Sequence, residues 1–456
     1  MTAAAPLIAA SPLSGPAVDR TLVSVAGVAV AVAAFIVLRR MPRTAVGVWI
    51  AVLCFVPVWI GLGIGFNGNY YLPAVTGMAL LATVALLPAH GFRFGAMDGL
   101  VALLIVFALA SLITENASIA LGFAFSLFTY FVAGYIFGRV APLRVEPTWI
   151  YGAIAVAFSV VSLLVLLEFF AHWNPFVDIK AANSMYTTWG TIQERGGVAR
   201  SEGAFGHSIA LGSSLAIAIP LTLAARFPLL VRAGMVLLMM FATVLTFSRI
   251  GMVGAVLGLL LSILFMRDAI SRRARIVLTS AIVVVAAVVF PLVTTVFDDA
   301  GSEATGSADY RGDLTSLIGS MNVVGVADSA ERNSTGQVYF GNFRSIDSQL
   351  ILTGLSSGAL ALALVVVALL VGIVLVVTRR ATPATIAVVA QIPALATVAL
   401  ITQYSIFLWV VVGLAASTQH LRPTATETSL LVPQRLPRPV AAPAPAAVPL
   451  RERSAR

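Results

Sequence analysis

Runs of about 18 or more apolar residues recur along almost the whole chain, and a helix needs a run of that length to cross the hydrocarbon of a bilayer. Few other folds can absorb such a pattern. Of the 456 residues, 59% are hydrophobic and 10% are charged, where a soluble domain carries roughly 25% charged. The alternation expected of an outer-membrane barrel is missing. The fold class expected is therefore all-α, a multi-pass transmembrane helical bundle. Apolar runs lie near 21–38, 45–65, 71–88, 97–114, 118–138, 148–170, 208–225, 232–247, 250–266, 276–297, 350–377, 385–402 and 404–418. If the first is peripheral, or the last two are one bent helix, the count is twelve; the expectation is about 12 spans (11–13).

Charge orients the bundle. The net charge of +9 is almost all arginine, since Lys180 is the only lysine, and in a membrane chain this marks cytoplasmic loops rather than nucleic-acid binding. RRMPR (39–43), GRVAPLR (138–144), ARFPLLVR (225–232), RDAISRRARI (267–276) and TRR (378–380) are expected on the cytoplasmic side. FNGNY (66–70), TENAS (114–118) and TQYS (402–405) lack Lys and Arg and are expected outside. Residues 1–20 read as a flexible tail without the basic start of a signal peptide. The membrane domain then spans 21–420. Residues 421–456, rich in Pro, Ala and Arg, read as a disordered cytoplasmic tail. Cys54 is the only cysteine, so neither an internal disulfide nor a cysteine metal site is expected.

Two long loops, about 171–207 and 298–348, interrupt the short connections, and both are expected on the outer side. Long loops in a compact bundle usually carry function. Arg249, in LTFSRIGMVGA, stands in a short outer turn. It is either a snorkelling arginine at a helix end or a cation aimed at an anionic ligand, with Ser248 as a further donor. Arg200, in VARSEGAFGHS, precedes Gly203 and Gly206, which let the backbone bend beside the start of the next helix. It is either a phosphate ligand or part of a flexible loop at lipid headgroups. Arg311 follows Tyr310 in a stretch whose Leu314, Leu317, Ile318 and Met321 have helical spacing, as in a short amphipathic helix. Asp347 stands at the entry to a span, as a helix N-cap or a reacting carboxylate; Ser345 is the alternative cap. No phosphate-binding loop, catalytic triad or HExxH motif is present, and four scattered histidines argue against a metal site.

In this order, Arg200 with GAFGHSIALG, LTFSRIG, YRGD and SIDSQLILTGLSSG resemble the bacterial O-antigen ligase and O-antigen polymerase (Wzy-like) family. The resemblance covers roughly 190–370 well and the first five spans only as general hydropathy. Each motif alone is weak, and the ordered set is more specific. Where ligases of the family carry a histidine, this chain has Asp347 or Ser345, which tilts the reading toward polymerase.

The resemblance implies a glycosyltransferase-type enzyme of the bacterial inner membrane that needs no metal or other cofactor. It would join polyprenyl-diphosphate-linked oligosaccharide units into a surface polysaccharide at the outer face. Arg200, Arg249 and Arg311 would bind the substrate diphosphate, supported by Ser248, Tyr310, Gly203 and Gly206. Asp347, Glu202 and Asp313, in that order, are the candidate bases, and His207 is expected to be structural. Further partners to expect are membrane lipid, a flippase and a chain-length regulator, with no nucleic acid. The alternatives are a ligase passing finished glycan to an envelope acceptor, and a transporter or flippase of lipid-linked or anionic solute. A third is a non-catalytic scaffold.

Overall fold

A computed structural model describes residues 32–65, 69–113, 117–195, 197–266, 310, 312–332, 338–343 and 345–421, together with a few isolated positions. The described chain is mostly helical, with three two-stranded antiparallel hairpins. A first helical stretch, 32–40, is followed by α1 (Pro42–Phe55). Hairpin β1 (Gly61–Gly65) and β2 (Asn69–Pro73) comes next, then α2 (Ala74–Leu86) and α3 (Ala96–Ala110). α4 (Ala117–Leu127) runs through a π turn (Phe128–Val132) into α5 (Ala133–Arg144), and α6 spans Pro147–Ala171. Among the described residues, three helices are long and apolar enough to cross a membrane: Ala120–Arg144, Pro147–Ala171 and Ala359–Val377. Seven further apolar helices are shorter.

The first long loop carries α7 (Ser184–Trp189) and the small hairpin β3 (Glu194–Arg195) and β4 (Val198–Ala199). It is pinned to the body of the protein at Trp59. The Trp59 indole donates to the Ile179 carbonyl at 2.7 Å, and Asn183 Nδ2 donates to the Trp59 carbonyl at 3.0 Å. α8 (Ser208–Ala224) follows and is the central helix, buried over nearly its whole length. It packs against α6 and against α9 (Leu229–Leu245) and α10 (Arg249–Phe265). After the second loop come α11 (Gln349–Ser357), α12 (Ala359–Val377), α13 (Pro383–Val389), α14 (Ile392–Thr397) and α15 (Thr402–His420).

Several runs expected as single spans are broken. The run 350–377 divides at Gly358, whose φ of +97° only glycine adopts readily. The run 385–402 divides at Ala390 and Gln391, and 45–65 ends its helix at Phe55 before the hairpin. Hydropathy is blind to such breaks because the residues on both sides are equally apolar. GRVAPLR is the end of α5 rather than a loop. TQYS is the buried first turn of α15 rather than an outer connection, and the last two runs stay separate helices. Most of the run 276–297, all of 298–309 and the tails 1–20 and 422–456 lie outside the described residues. In the second loop, the amphipathic stretch is helical at 312–314 and then a tighter 3₁₀ turn, Thr315–Ser320. Leu314 and Leu317 face inward, but Ile318 is exposed, because the eclipsed 3₁₀ geometry rotates it off the face that a regular helix would give it.

Glycines set a close helix crossing, that of α5 on α15. A Cβ on Gly138 would lie 2.0 Å from the Val410 carbonyl oxygen, and one on Gly413 would lie 2.3 Å from that of Tyr135. Close backbone approach of this kind is how helices associate in an apolar medium. Gly138→Val is expected to lower stability by about 3 kcal/mol through overpacking against backbone. Gly99→Ala, at a site with nothing within 4 Å, serves as the control. Thermal unfolding of the detergent-solubilised protein reads both, and equal melting points would refute the role of Gly138.

Candidate functional site

The site is built where the end of α6, the loop before α8 and the α9–α10 turn meet. α6 stops at Ala171 because His172 turns left-handed, with φ of 52°. Glu168, in the last turn of α6, is buried and reaches across to the loop. Its Oε1 accepts from the Glu202 amide at 3.0 Å and from Asn174 Nδ2 at 2.8 Å, and its Oε2 accepts from the Gly203 amide at 2.9 Å. One carboxylate thus closes the loop onto the helix. Gly203 and Gly206 both have positive φ, +54° and +64°. At Gly206 a Cβ would also lie 2.8 Å from the Trp189 carbonyl. His207 is the N-cap of α8: its Nδ1 accepts from the Ile209 amide at 3.0 Å, and its ring meets Trp189 edge-on at 5.7 Å.

The α9–α10 turn lies against this loop. Phe247 takes a left-handed φ of 46°, unusual for a residue with a side chain. Ser248 caps α10, its Oγ accepting from the Gly251 amide at 3.2 Å. The loop then binds the turn's carbonyls. Arg200 Nε donates to Thr246 O at 3.1 Å, the Ser201 amide donates to Leu245 O at 3.3 Å, and Arg195 Nη1 donates to Phe247 O at 3.3 Å. Arg249 is the first residue of α10 and is exposed. Three arginines, Arg195, Arg200 and Arg249, therefore surround one five-residue turn, Leu245–Arg249.

Neither Arg195 nor Glu168 belonged to the expected site. Arg195 joins it through the β3–β4 register, in which Glu194 pairs with Ala199 and Arg195 with Val198, next to Arg200. A signal for Glu168 was present: a carboxylate within a long apolar helix is a site candidate by default.

Burial pushes the Glu202 carboxyl from its ordinary 4.5 up to about 8. The Gln193 amide, donating at 3.1 Å, and Arg200 oppose that rise, and neighbouring Glu168 adds to it. Burial, with Arg200 second, pushes His207 from 6.5 down to about 4. The two shifts act oppositely on stability. Between pH 4.5 and 8 the folded protein keeps a Glu202 proton that the unfolded chain has lost, so this group's contribution falls as pH rises. Between pH 6.5 and 4 the unfolded chain protonates His207 first, so that contribution falls as pH drops. They cancel between about pH 4.5 and 6.5, and above 6.5 only the Glu202 slope remains. Glu202→Gln is expected to gain stability relative to wild type by up to ~1.4 kcal/mol per pH unit over pH 6.5 to 8. Denaturation in detergent at the two pH values measures the difference, and an offset that does not change with pH would contradict this account.

A second cluster gathers at the start of α11. The Tyr310 hydroxyl donates to the Ser345 carbonyl, and the Tyr310 ring meets Phe343 edge-on at 5.4 Å. Burial, and then the charge of Asp347, raises the phenol's pKa. Ser345 Oγ donates to Asp347 Oδ1 at 3.0 Å. Asp347 is not the cap of α11, and neither is Ser345. Ser348 holds that position, its Oγ accepting from the Ile351 amide at 3.3 Å. Asp347 stands half-buried beside the cap, with its carboxylate directed to Ser345. Asp313 is exposed on the short turn after Tyr310. Arg311 lies outside the described residues. The expected site residues thus fall into two sets: Arg200, Glu202, Gly203, Gly206, Ser248 and Arg249 in one, and Tyr310 and Asp347 in the other.

Among the described residues, no group of three or more His, Cys, Asp and Glu side chains is placed to hold a metal ion. A scan against protein-family models finds no match, and a search of curated proteins finds no relative.

Proposed function

We propose that this chain is a multi-pass membrane enzyme of about 12 spans (11–13), with its two long loops and active face outside the cytoplasmic membrane of a bacterium. On this reading it is a glycosyltransferase-type polymerase that joins oligosaccharide units carried on a polyprenyl diphosphate. The observation that carries the reading is the set of three arginines about the Leu245–Arg249 turn, beside the N-terminus of α8. A guanidinium suits phosphate because its planar fork donates paired, charge-assisted hydrogen bonds. The buried charged residues among those described are Asp98, Arg139, Glu168, Arg200 and Glu202, and they lie toward helix ends or in loops. A solute pathway would favour charge at mid-depth, so this distribution supports the enzyme over the transporter.

In the proposed step the acceptor sugar's hydroxyl oxygen forms a bond to the donor's anomeric carbon as the bond from that carbon to the diphosphate oxygen breaks. The electron pair leaves with the diphosphate. The cations of Arg200, Arg249 and Arg311 are the candidates to take up the charge that develops there. The proton of the acceptor hydroxyl passes to a carboxylate, for which Asp347 is the first candidate ahead of Glu202 and Asp313. Ser345, donating to Asp347, and Tyr310, donating to Ser345, hold that carboxylate in place.

The test is glycan transfer by purified protein supplied with the host's polyprenyl-diphosphate oligosaccharides. Asp347→Asn is expected to lower the rate by about 10²- to 10⁴-fold with little change in donor binding. Arg311→Ala is expected to weaken both. A single addition to an envelope acceptor, without a ladder of products, would instead indicate the ligase. Movement of the donor across vesicles without transfer would indicate the transporter.

A further inference from the structure

Three helices start together at the end of the bundle remote from the arginine turn. α1 begins at Pro42, α6 at Pro147 and α9 at Leu229, and no side chain caps any of the three. Their unpaired amides and the positive ends of their dipoles favour an anion nearby. Two arginines stand at the same place. Arg43 lies in the first turn of α1, and Arg226 lies in the connection that leads into α9; both are exposed. Arg226 Nη1 donates to Glu146 Oε2 at 2.9 Å, and Arg43 lines the same mouth.

From this mouth a groove of about 690 Å³ runs between α1 and α6. Gly47, Ala51 and Phe55, at successive helix turns, form one wall, and Gly152, Val156 and Val160 form the other. From Arg43 to Phe55 the rise is on the order of 18 Å, close to half of a ~30 Å hydrocarbon core. The groove is thus charged at its mouth and apolar along its length, and it is as long as one leaflet is deep.

We propose that this groove is a binding site for an anionic phospholipid, with its phosphate between Arg43 and Arg226 and one acyl chain along Gly47, Ala51 and Gly152. The site is independent of the transfer chemistry and rests only on the chain residing in a membrane. Glu146 partly neutralises Arg226, and a headgroup carrying net negative charge competes for that arginine where a zwitterionic one does not. Phosphatidylglycerol is therefore preferred over phosphatidylcholine.

Delipidated protein is titrated with each lipid in detergent micelles, and binding is counted by native mass spectrometry. The wild type is expected to bind phosphatidylglycerol about tenfold more tightly than phosphatidylcholine, equivalent to roughly 1.4 kcal/mol. Arg43→Gln with Arg226→Gln is expected to abolish that preference, and Ala157→Trp, which fills the groove without touching charge, to weaken both lipids. Arg39→Gln with Arg40→Gln removes the same charge from the exposed preceding helical stretch and is expected to keep the preference. Equal binding of the two lipids by the wild type would overturn the proposal. So would a preference that survives the Arg43 and Arg226 changes, or one that Arg39 and Arg40 carry equally. Competition by millimolar inorganic phosphate as effective as that by the lipid would assign the mouth to a free anion, and the lipid site would fail. Loss of glycan transfer in the wild type would leave all these outcomes readable.

Discussion

Arg249→Ala is expected to lower glycan transfer by about 10²- to 10³-fold with a loss of stability of no more than about 1 kcal/mol. The two halves of this expectation have separate causes. Arg249 is exposed, and α10 keeps its cap, since Ser248 Oγ still accepts from the Gly251 amide at 3.2 Å. A cation at a helix N-terminus opposes the dipole, so its removal relieves the helix of that unfavourable interaction. The left-handed Phe247 and the carbonyl contacts of Arg195 and Arg200 hold the turn that carries it. A cation on a backbone held in this way needs less reorganisation to meet developing charge. Arg249→Lys is expected to recover part of the rate, because it restores the charge without the paired geometry. Transfer rates, read beside the melting point, check the prediction. An Arg249→Ala variant of full activity would remove the turn from the proposed diphosphate site.

The largest expected effect on stability comes from Asp98→Ala. Asp98 opens α3 and meets Arg139 on α5, with the two side chains only 5% and 3% exposed. Arg139 Nε donates to Oδ1 and Nη2 to Oδ2, both at 2.7 Å, a two-pronged pair. Tyr135 and the Gly95 amide also donate to the carboxylate, and Phe92 lies 4.8 Å from the guanidinium carbon. Removing the carboxylate leaves a buried guanidinium with its remaining donors and no countercharge. Such a loss costs about 3–5 kcal/mol. Removing both charges, as Asp98→Ala with Arg139→Met, is expected to recover much of it, because the uncompensated charge goes too. Chemical denaturation of the single and double variants measures this. If the double variant were no better than Asp98→Ala alone, the cost would lie in lost packing rather than in the orphaned charge.

The helices themselves were legible from the residues alone. Each satisfies its backbone hydrogen bonds within its own segment, so local hydropathy is enough to reveal it. The same locality explains why Arg200, Glu202, Gly203, Gly206, Ser248 and Arg249 could be selected: loop composition and helix starts are written in short stretches. What joined them could not be read. Glu168 holds the amides of Glu202 and Gly203 from 34 and 35 positions away, and Arg139 meets Asp98 across 41. A residue's type states what it can bind, but only the packing of helices decides which distant partner stands within 3 Å. Breaks such as Gly358 and the choice of Ser348 over Asp347 as cap were likewise settled by the fold, because neighbouring groups of similar chemistry compete for one position and the surrounding backbone selects among them. The chain alone therefore determined a helical, apolar architecture with its candidate polar groups in loops and at helix starts; tertiary structure decided which of those groups meet.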